Sequence, residues 1–227
     1  MTLEELFREL GLKMPVGEIA TSDRTALTAF LEKEAQYRHQ FRMQRLLKLS
    51  GIKQMRTFSQ FDWSFNPKVP KEEILSFARS PWIEEGANLV LIGDPGLGKS
   101  HLAKALLYEA ILKGHETRFV SAFDLISKIK KAIHPSNKIE AFSRVAVLCL
   151  DELGYVYHKQ EDTDLIFQII SKRSEQRPTI LTTNLTPKEW GSIFSGAAAS
   201  AILDRLSCHG KFMKLEGKTY RPNVRRK

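Results

Sequence analysis

The chain has 227 residues, 42% of them hydrophobic and 27% charged, with a formal net charge of +9. That composition can build a core and excludes wholesale disorder, and no apolar stretch approaches the ~20 residues a membrane span needs. The opening Met1-Thr2-Leu3-Glu4-Glu5-Leu6 lacks a basic region followed by an apolar run, and Cys149 and Cys208 are too few for a disulfide framework; the expectation is no secretory signal and a reducing, cytoplasmic compartment.

In chain order, residues 2–12 and 22–49 read as helices, the second opened by the start signal Thr21-Ser22-Asp23. Leu27 and Leu31, then Tyr37 and Phe41, lie one turn apart and predict an apolar stripe, while Arg38, Arg42 and Arg45 follow helical spacing on another face. The pattern lapses at Ser50-Gly51, and a loop rich in aromatics and proline follows (Phe58, Phe61, Trp63, Phe65, Pro67, Pro70). A domain boundary is expected within it, giving a helical region 1–57, a domain 58–221 and a basic tail 222–227.

From residue 71 onward the pattern alternates. A helix over 71–79 precedes the apolar strand 88–92; a glycine loop leads into a helix over 99–113; a strand over 117–120 is followed by a helix near 122–132. Then come the apolar run 145–150, a helix over 162–176, a strand over 179–182, helices near 187–194 and 198–208, and an edge strand over 212–215. Short continuous apolar strands separated by amphipathic helices predict a three-layer α/β/α fold with a mostly parallel sheet.

Four motifs carry chemistry. Gly93-Asp94-Pro95-Gly96-Leu97-Gly98-Lys99-Ser100, with His101 next, follows one strand and opens a helix. Glycines let successive backbone N–H groups converge on phosphate oxygens, and the helix adds its positive N-terminal dipole. In such a loop the lysine reaches the β and γ phosphates and the serine hydroxyl ligates Mg²⁺, which predicts ATP with Mg²⁺ as cofactors. Asp151-Glu152 ends the run 145–150 at the carboxyl edge of the sheet, where such folds place ligands. Asp151 is expected to hold Mg²⁺ with Ser100, and Glu152 to polarise water as general base. Asn184 closes the strand Ile180-Leu181-Thr182-Thr183-Asn184, and Asp204-Arg205-Leu206 lies sixteen residues before Arg221; spacing alone gives Asn184 as a turn or a water-orienting group and Arg205 as a helix-surface salt bridge.

Positive charge is blocked rather than spread. Residues 31–56 hold seven Lys or Arg against Glu32 and Glu34, and residues 205–227 hold eight against Glu216. Such clustering fits a polyanion partner or a solvated basic surface, and charge by itself leaves both open.

Residues from about 50 to 221 resemble the AAA+ ATPases of the helicase-loader clade, most closely the IstB transposition helpers and the DnaC and DnaI loaders. The resemblance rests on residues 82–88, the Gly-Asp-Pro-Gly-Leu-Gly-Lys-Ser loop, Leu150-Asp151-Glu152-Leu153-Gly154, Thr183-Asn184, Ala201-Ile202-Leu203-Asp204-Arg205-Leu206 and Tyr220-Arg221. It implies Asn184 as first sensor, Arg205 as an arginine finger acting on a neighbouring subunit, Arg221 as second sensor, and a homo-oligomer formed with ATP. It also implies a nucleic-acid path along the helical segment after the second strand, where Lys128, Lys130, Lys131, Lys138 and Arg144 suit phosphate contacts. The chain departs from the replication initiators by stopping just after Arg221, and its first 50 residues match only loosely. The expected function is an ATP-hydrolysing factor on DNA, duplex rather than single-stranded, that directs a transposase. The alternatives are a replicative helicase loader and an ATP-switched protein-interaction module, none of them membrane-bound.

Overall fold

The central strands are buried along nearly all of their length because helices cover both faces of the sheet, whereas the edge strands over 117–121 and 210–214 are of mixed burial. In the computed structural model, which describes residues 1–154, 160–174, 176–194 and 196–220, β1 (Asn88–Ile92), β2 (Thr117–Ser121), β3 (Val147–Leu153), β4 (Thr179–Thr183) and β5 (Gly210–Lys214) form one sheet in the order β2-β3-β4-β1-β5. Every pairing is parallel, so β5 and β2 are the edges. The sheet is thus wholly parallel where a mostly parallel one was predicted.

The chain divides into two compact units, Met1–Leu46 and Leu47–Lys227. In the larger unit one face of the sheet presents Leu89, Leu91, Val147, Cys149 and Ile180 to α3 (Lys71–Arg79) and α4 (Lys99–Leu112); the other presents Val90, Leu148, Leu150 and Leu181 to α5 (Ala122–Lys130), α6 (Pro135–Arg144), α7 (Gln160–Arg173) and α8 (Gly196–Ser207). Helix α6 was not anticipated, although His134-Pro135 places proline at the first helical position, where its missing N–H costs nothing. The segment expected as a helix near 187–194 is a 3-10 turn, Pro187–Ser192. Residues 47–57, expected with the N-terminal helices, pack with the larger unit: the Ser50 carbonyl accepts from the Phe119 N–H at 2.7 Å, and Ile52 lies against the core.

At the amino ends of the central strands, Arg173 is fully buried, and among the described residues no carboxylate forms an ion pair with it. Its guanidinium donates to the carbonyls of Phe142, Ser143, Val145, Ala146 and Pro178 and to the Thr179 hydroxyl. Burial, with Arg177 nearby, lowers its pKa to about 9, which leaves it charged at neutral pH. It ties the end of α6 to the starts of β3 and β4.

The smaller unit pairs α1 (Leu3–Leu10) with the first half of α2 (Thr21–Leu49). Thr2 and Glu5 form a reciprocal capping box, and Gly11 ends α1 in the left-handed region at φ 70°. Leu3, Leu6, Phe7 and Leu10 pack with Ile19, Leu31 and Ala35. The apolar stripe predicted on α2 breaks in two: Leu31 is buried, whereas Tyr37 and Phe41 are 60% and 68% exposed. Six residues separate Leu31 from Tyr37, about 240° around a helix, so the two pairs face different ways.

Candidate functional site

β1 delivers the chain to Gly93 at the carboxyl edge of the sheet, and α4 begins at Lys99, so residues 93–98 form the loop between them. Gly98 caps α4 with φ 90°, a left-handed conformation that glycine adopts without penalty, and a Cβ there would collide with the Phe61 ring. Leu97 anchors the loop in the core, while Asp94 and Pro95 are exposed. The Lys99 Nζ folds back to donate to the carbonyls of Gly93 at 2.6 Å and Asp94 at 2.9 Å. The ammonium therefore stands over the loop, within reach of whatever anion the loop holds.

Opposite the loop, β3 carries Asp151 and Glu152 just before its end at Leu153. The Ser100 hydroxyl donates to Asp151 Oδ1 at 2.8 Å, joining the start of α4 to the end of β3. The Thr182 hydroxyl, on β4, donates to the same oxygen at 2.5 Å and accepts from the Glu152 N–H at 2.9 Å. Glu152 has φ 60°, the one positive φ among the described non-glycine residues; a left-handed conformation costs a side-chain-bearing residue about 1–2 kcal/mol, and here it turns the exposed carboxylate into the cleft. Asn184 also lines the cleft, and its buried Oδ1 has no hydrogen-bond partner among the described residues. It lies against Gly154, where a Cβ would come within 2.8 Å of that oxygen.

These groups surround a cleft of about 530 Å³, a size usual for small-molecule sites. Sequence reasoning missed its opposite wall, formed by Gln54, Arg56, Phe61, Phe65 and Tyr220. The aromatic and proline composition of residues 58–70 is visible in the sequence, but it predicts only a loop at the domain boundary. His101 joins this wall to the loop. Its Nε2 lies 2.9 Å from the Thr57 carbonyl, which can only accept, so that nitrogen carries the proton; its ring meets Phe61 edge-on at 5.2 Å. Burial, together with the charges of Arg56 and Lys104, lowers its pKa against the opposing pull of the Thr57 bond. From the other end of the chain, the Tyr220 N–H donates to the Gly96 carbonyl at 3.0 Å, and Lys218 exchanges two backbone bonds with the Asn66 amide, each 2.8 Å.

The remaining predicted residues lie elsewhere. Arg205 is on α8 and does not line the cleft; it donates to the Ala201 carbonyl at 3.1 Å, and its guanidinium lies 5.1 Å from the centre of the Phe167 ring. Arg221 lies outside the described residues. Arg38 is tied to Glu34 at 2.6 Å and to the Leu10 carbonyl at 3.1 Å, whereas Arg42 and Arg45 are exposed on α2. Lys130 is paired with Asp162 and Glu161, while Lys128 and Lys131 are exposed. Cys149 is buried, which pushes its thiol up, and no cluster of three or more His, Cys, Asp or Glu occurs among the described residues. No described helix is long and apolar enough to cross a membrane.

Residues 12–227 match the family model described as IstB-like ATP binding protein. A protein named for ATP binding in insertion sequence IS21 of Pseudomonas aeruginosa is 34% identical over 208 residues, covering 90% of this chain and 78% of that protein. The replicative helicase loader DnaC of Escherichia coli K12 is 30% identical over 192 residues, covering 79% and 74%. Among solved structures, that of DnaI superposes with a TM-score of 0.61 at 22% identity, covering 72% of this chain and 89% of that one, a likeness of fold. A wholly parallel sheet with the phosphate loop after its fourth-placed strand, two acidic residues on the adjoining edge and this agreement along the chain identify an AAA+ P-loop protein that binds ATP, a member of the IstB-like ATP-binding family.

Proposed function

We propose that the protein hydrolyses ATP with Mg²⁺ as a subunit of a homo-oligomer on DNA, and that this assembly directs a transposase to its target. The observation that carries the reading is the junction of Ser100, Asp151 and Thr182 beneath the phosphate loop, with the Glu152 carboxylate beside it. A serine hydroxyl and a carboxylate 2.8 Å apart are hard oxygen donors of the kind Mg²⁺ prefers. Bound there with the phosphates, the ion would neutralise charge on the transferring group. The chain's own residues do the rest. The loop N–H groups and Lys99 hold the phosphates, Glu152 polarises the attacking water, and Asn184, whose buried oxygen has no hydrogen-bond partner among the described residues, orients that water or the terminal phosphate.

Among the described residues the lysines and arginines that line the cleft are Arg56, Lys99 and Lys104, and Arg205 is not one of them. Arg205 stands on α8 away from its own cleft, which supports its acting on a neighbour; Arg221 is proposed as the second sensor by resemblance. The basic residues Arg38, Arg42, Arg45, Lys128, Lys130 and Lys131 supply phosphate contacts, Arg38 and Lys130 after exchanging their carboxylate partners Glu34 and Asp162 for phosphate. A DNA-bound role of this kind belongs in the cytoplasm. The kinship with a replicative helicase loader supports a second reading, in which the partner is a helicase and the DNA single-stranded.

The decisive experiment mixes two inactive variants. Arg205→Ala should bind ATP normally but lose turnover by about 10³-fold, Glu152→Gln should trap bound ATP, and the mixture should recover part of the activity. Full activity of Arg205→Ala alone would remove the finger in trans. On DNA, the logarithm of affinity should fall with that of salt by roughly 0.7–0.9 per phosphate neutralised; a flat response removes both DNA readings, and tight binding of a helicase with no preference for duplex favours the second.

A further inference from the structure

Thr182 lies two residues before Asn184, and its side chain touches both acidic residues at once. We propose that Thr182 is a positioning residue for the nucleotide chemistry: its hydroxyl holds the Asp151 carboxylate in place for the metal and fixes the backbone that aims Glu152 at the cleft. The inference rests on the hydrolytic reading above and gives a role to a residue that reading placed at the junction without one.

The pairing of β3 with β4 explains why a hydroxyl is needed there. Leu150 stands opposite Leu181 and Leu153 opposite Thr183, with a register shift between them. Asp151 and Glu152 therefore share one partner position, that of Thr182, as in a β-bulge, where the extra residue loses its ladder bond. The residue so stranded is Glu152, and it is also the one in the left-handed region. Its N–H is satisfied by Thr182 Oγ1 at 2.9 Å in place of a backbone carbonyl.

The direction of the bonds follows from their chemistry. A backbone N–H only donates, so Thr182 Oγ1 accepts from Glu152; its single proton is then free for the ionised carboxylate, which only accepts. The Asp151 Oδ1 consequently receives two hydroxyl protons, from Thr182 and from Ser100. Thr182 is fully buried and Asp151 nearly so, so water does not compete for these bonds. One side chain couples the metal-binding carboxylate to the backbone that carries the general base, and neither the Asp151 carboxylate nor the Glu152 backbone can move away without breaking a bond to it. Outer partners of this kind orient inner ligands in metal sites, and their loss typically costs about 10–100-fold in metal affinity or activity.

Thr182→Val keeps the shape of the side chain and removes the hydroxyl, while Thr182→Ser keeps the hydroxyl and removes the methyl. Two measurements are made on each and on wild type: steady-state ATPase kinetics, and binding of a fluorescent, slowly hydrolysed ATP analogue across a Mg²⁺ titration. The valine variant should lose about 10–100-fold in kcat with the ATP KM within about threefold. It should also need about tenfold more Mg²⁺ for half-maximal analogue binding, with metal-free binding unchanged. The serine variant should recover most of both. Wild-type kcat and Mg²⁺ response in the valine variant would overturn the proposal, as would equal impairment of the serine variant, since that would place the effect in the methyl group. If valine prevents folding, as read by thermal melting, Thr182→Ala takes its place with the same expectations. Wild-type turnover tests hydrolysis on its own: if wild type binds the analogue without turning ATP over, the Mg²⁺ titration still decides the role of Thr182.

Discussion

In the unit Leu47–Lys227 the central strands are sealed on both faces, and buried residues run from Ser50 to Leu215. In Met1–Leu46 a long helix commits little of its surface to a core: α2 buries Leu31 and Ala35 against α1 while Phe30, Tyr37 and Phe41 remain exposed. The two units therefore hold their shape by different means. The larger fixes side chains to within hydrogen-bond tolerance, as the Asp151 junction requires. The smaller relies on one layer of leucines, so its outer surface is open to variation without loss of fold.

That contrast can be broken in graded steps. The largest effect is expected at Arg173, whose loss in Arg173→Met orphans buried carbonyls on α6, β3 and β4. Unsatisfied buried groups cost about 1–3 kcal/mol each, so the larger unit should lose more than about 3 kcal/mol in denaturant unfolding. A loss below about 1 kcal/mol would show that these carbonyls find water. Next is Leu6→Ala, at the centre of the small core, with a cost of about 2–5 kcal/mol. It should melt the N-terminal helices early by circular dichroism and leave ATP-analogue affinity within about twofold; a tenfold loss of affinity would mean that the units are not separate in energy.

A smaller effect is expected at His101. Its pKa in the folded chain lies below the ordinary 6.5. Above that pH the ring is neutral in both states and contributes no slope. As pH falls through 6.5 toward the folded value, the unfolded chain takes up a proton that the folded chain refuses, and stability drops. His101→Gln should flatten this part of the pH–stability curve by less than either core substitution changes stability; identical curves would remove His101 as the cause. The smallest effect sharpens the contrast from the other side: Phe41→Ser, on an exposed position, should alter stability by no more than about 0.5 kcal/mol.

Much of the larger unit was legible in its residues. The strand 88–92, the loop 93–100 and the helix after it follow from an apolar run, glycines at fixed spacing and an amphipathic repeat, all signals local to the chain. Asp151 and Glu152 were legible for the same reason, at the end of an uninterrupted apolar strand. What local signals could not carry was the other wall of the cleft. Phe61 and Tyr220 stand 159 positions apart in the sequence, and no periodicity links them. The stripe on α2 failed for a related reason, since pairs one turn apart say nothing of the angle between one pair and the next.

By itself the sequence determined a parallel α/β core, an anion-binding loop and two carboxylates at the sheet edge, because burial and backbone conformation restrict which residues serve there. Tertiary structure decided which oxygens meet. Ser100, Asp151 and Thr182 come from α4, β3 and β4, and only the register of the β3–β4 bulge brings their hydroxyls and carboxylate to one point. Only the fold, too, left Arg205 outside its own cleft, because the side of the sheet on which α8 packs is set by the sheet and not by the residues around Arg205.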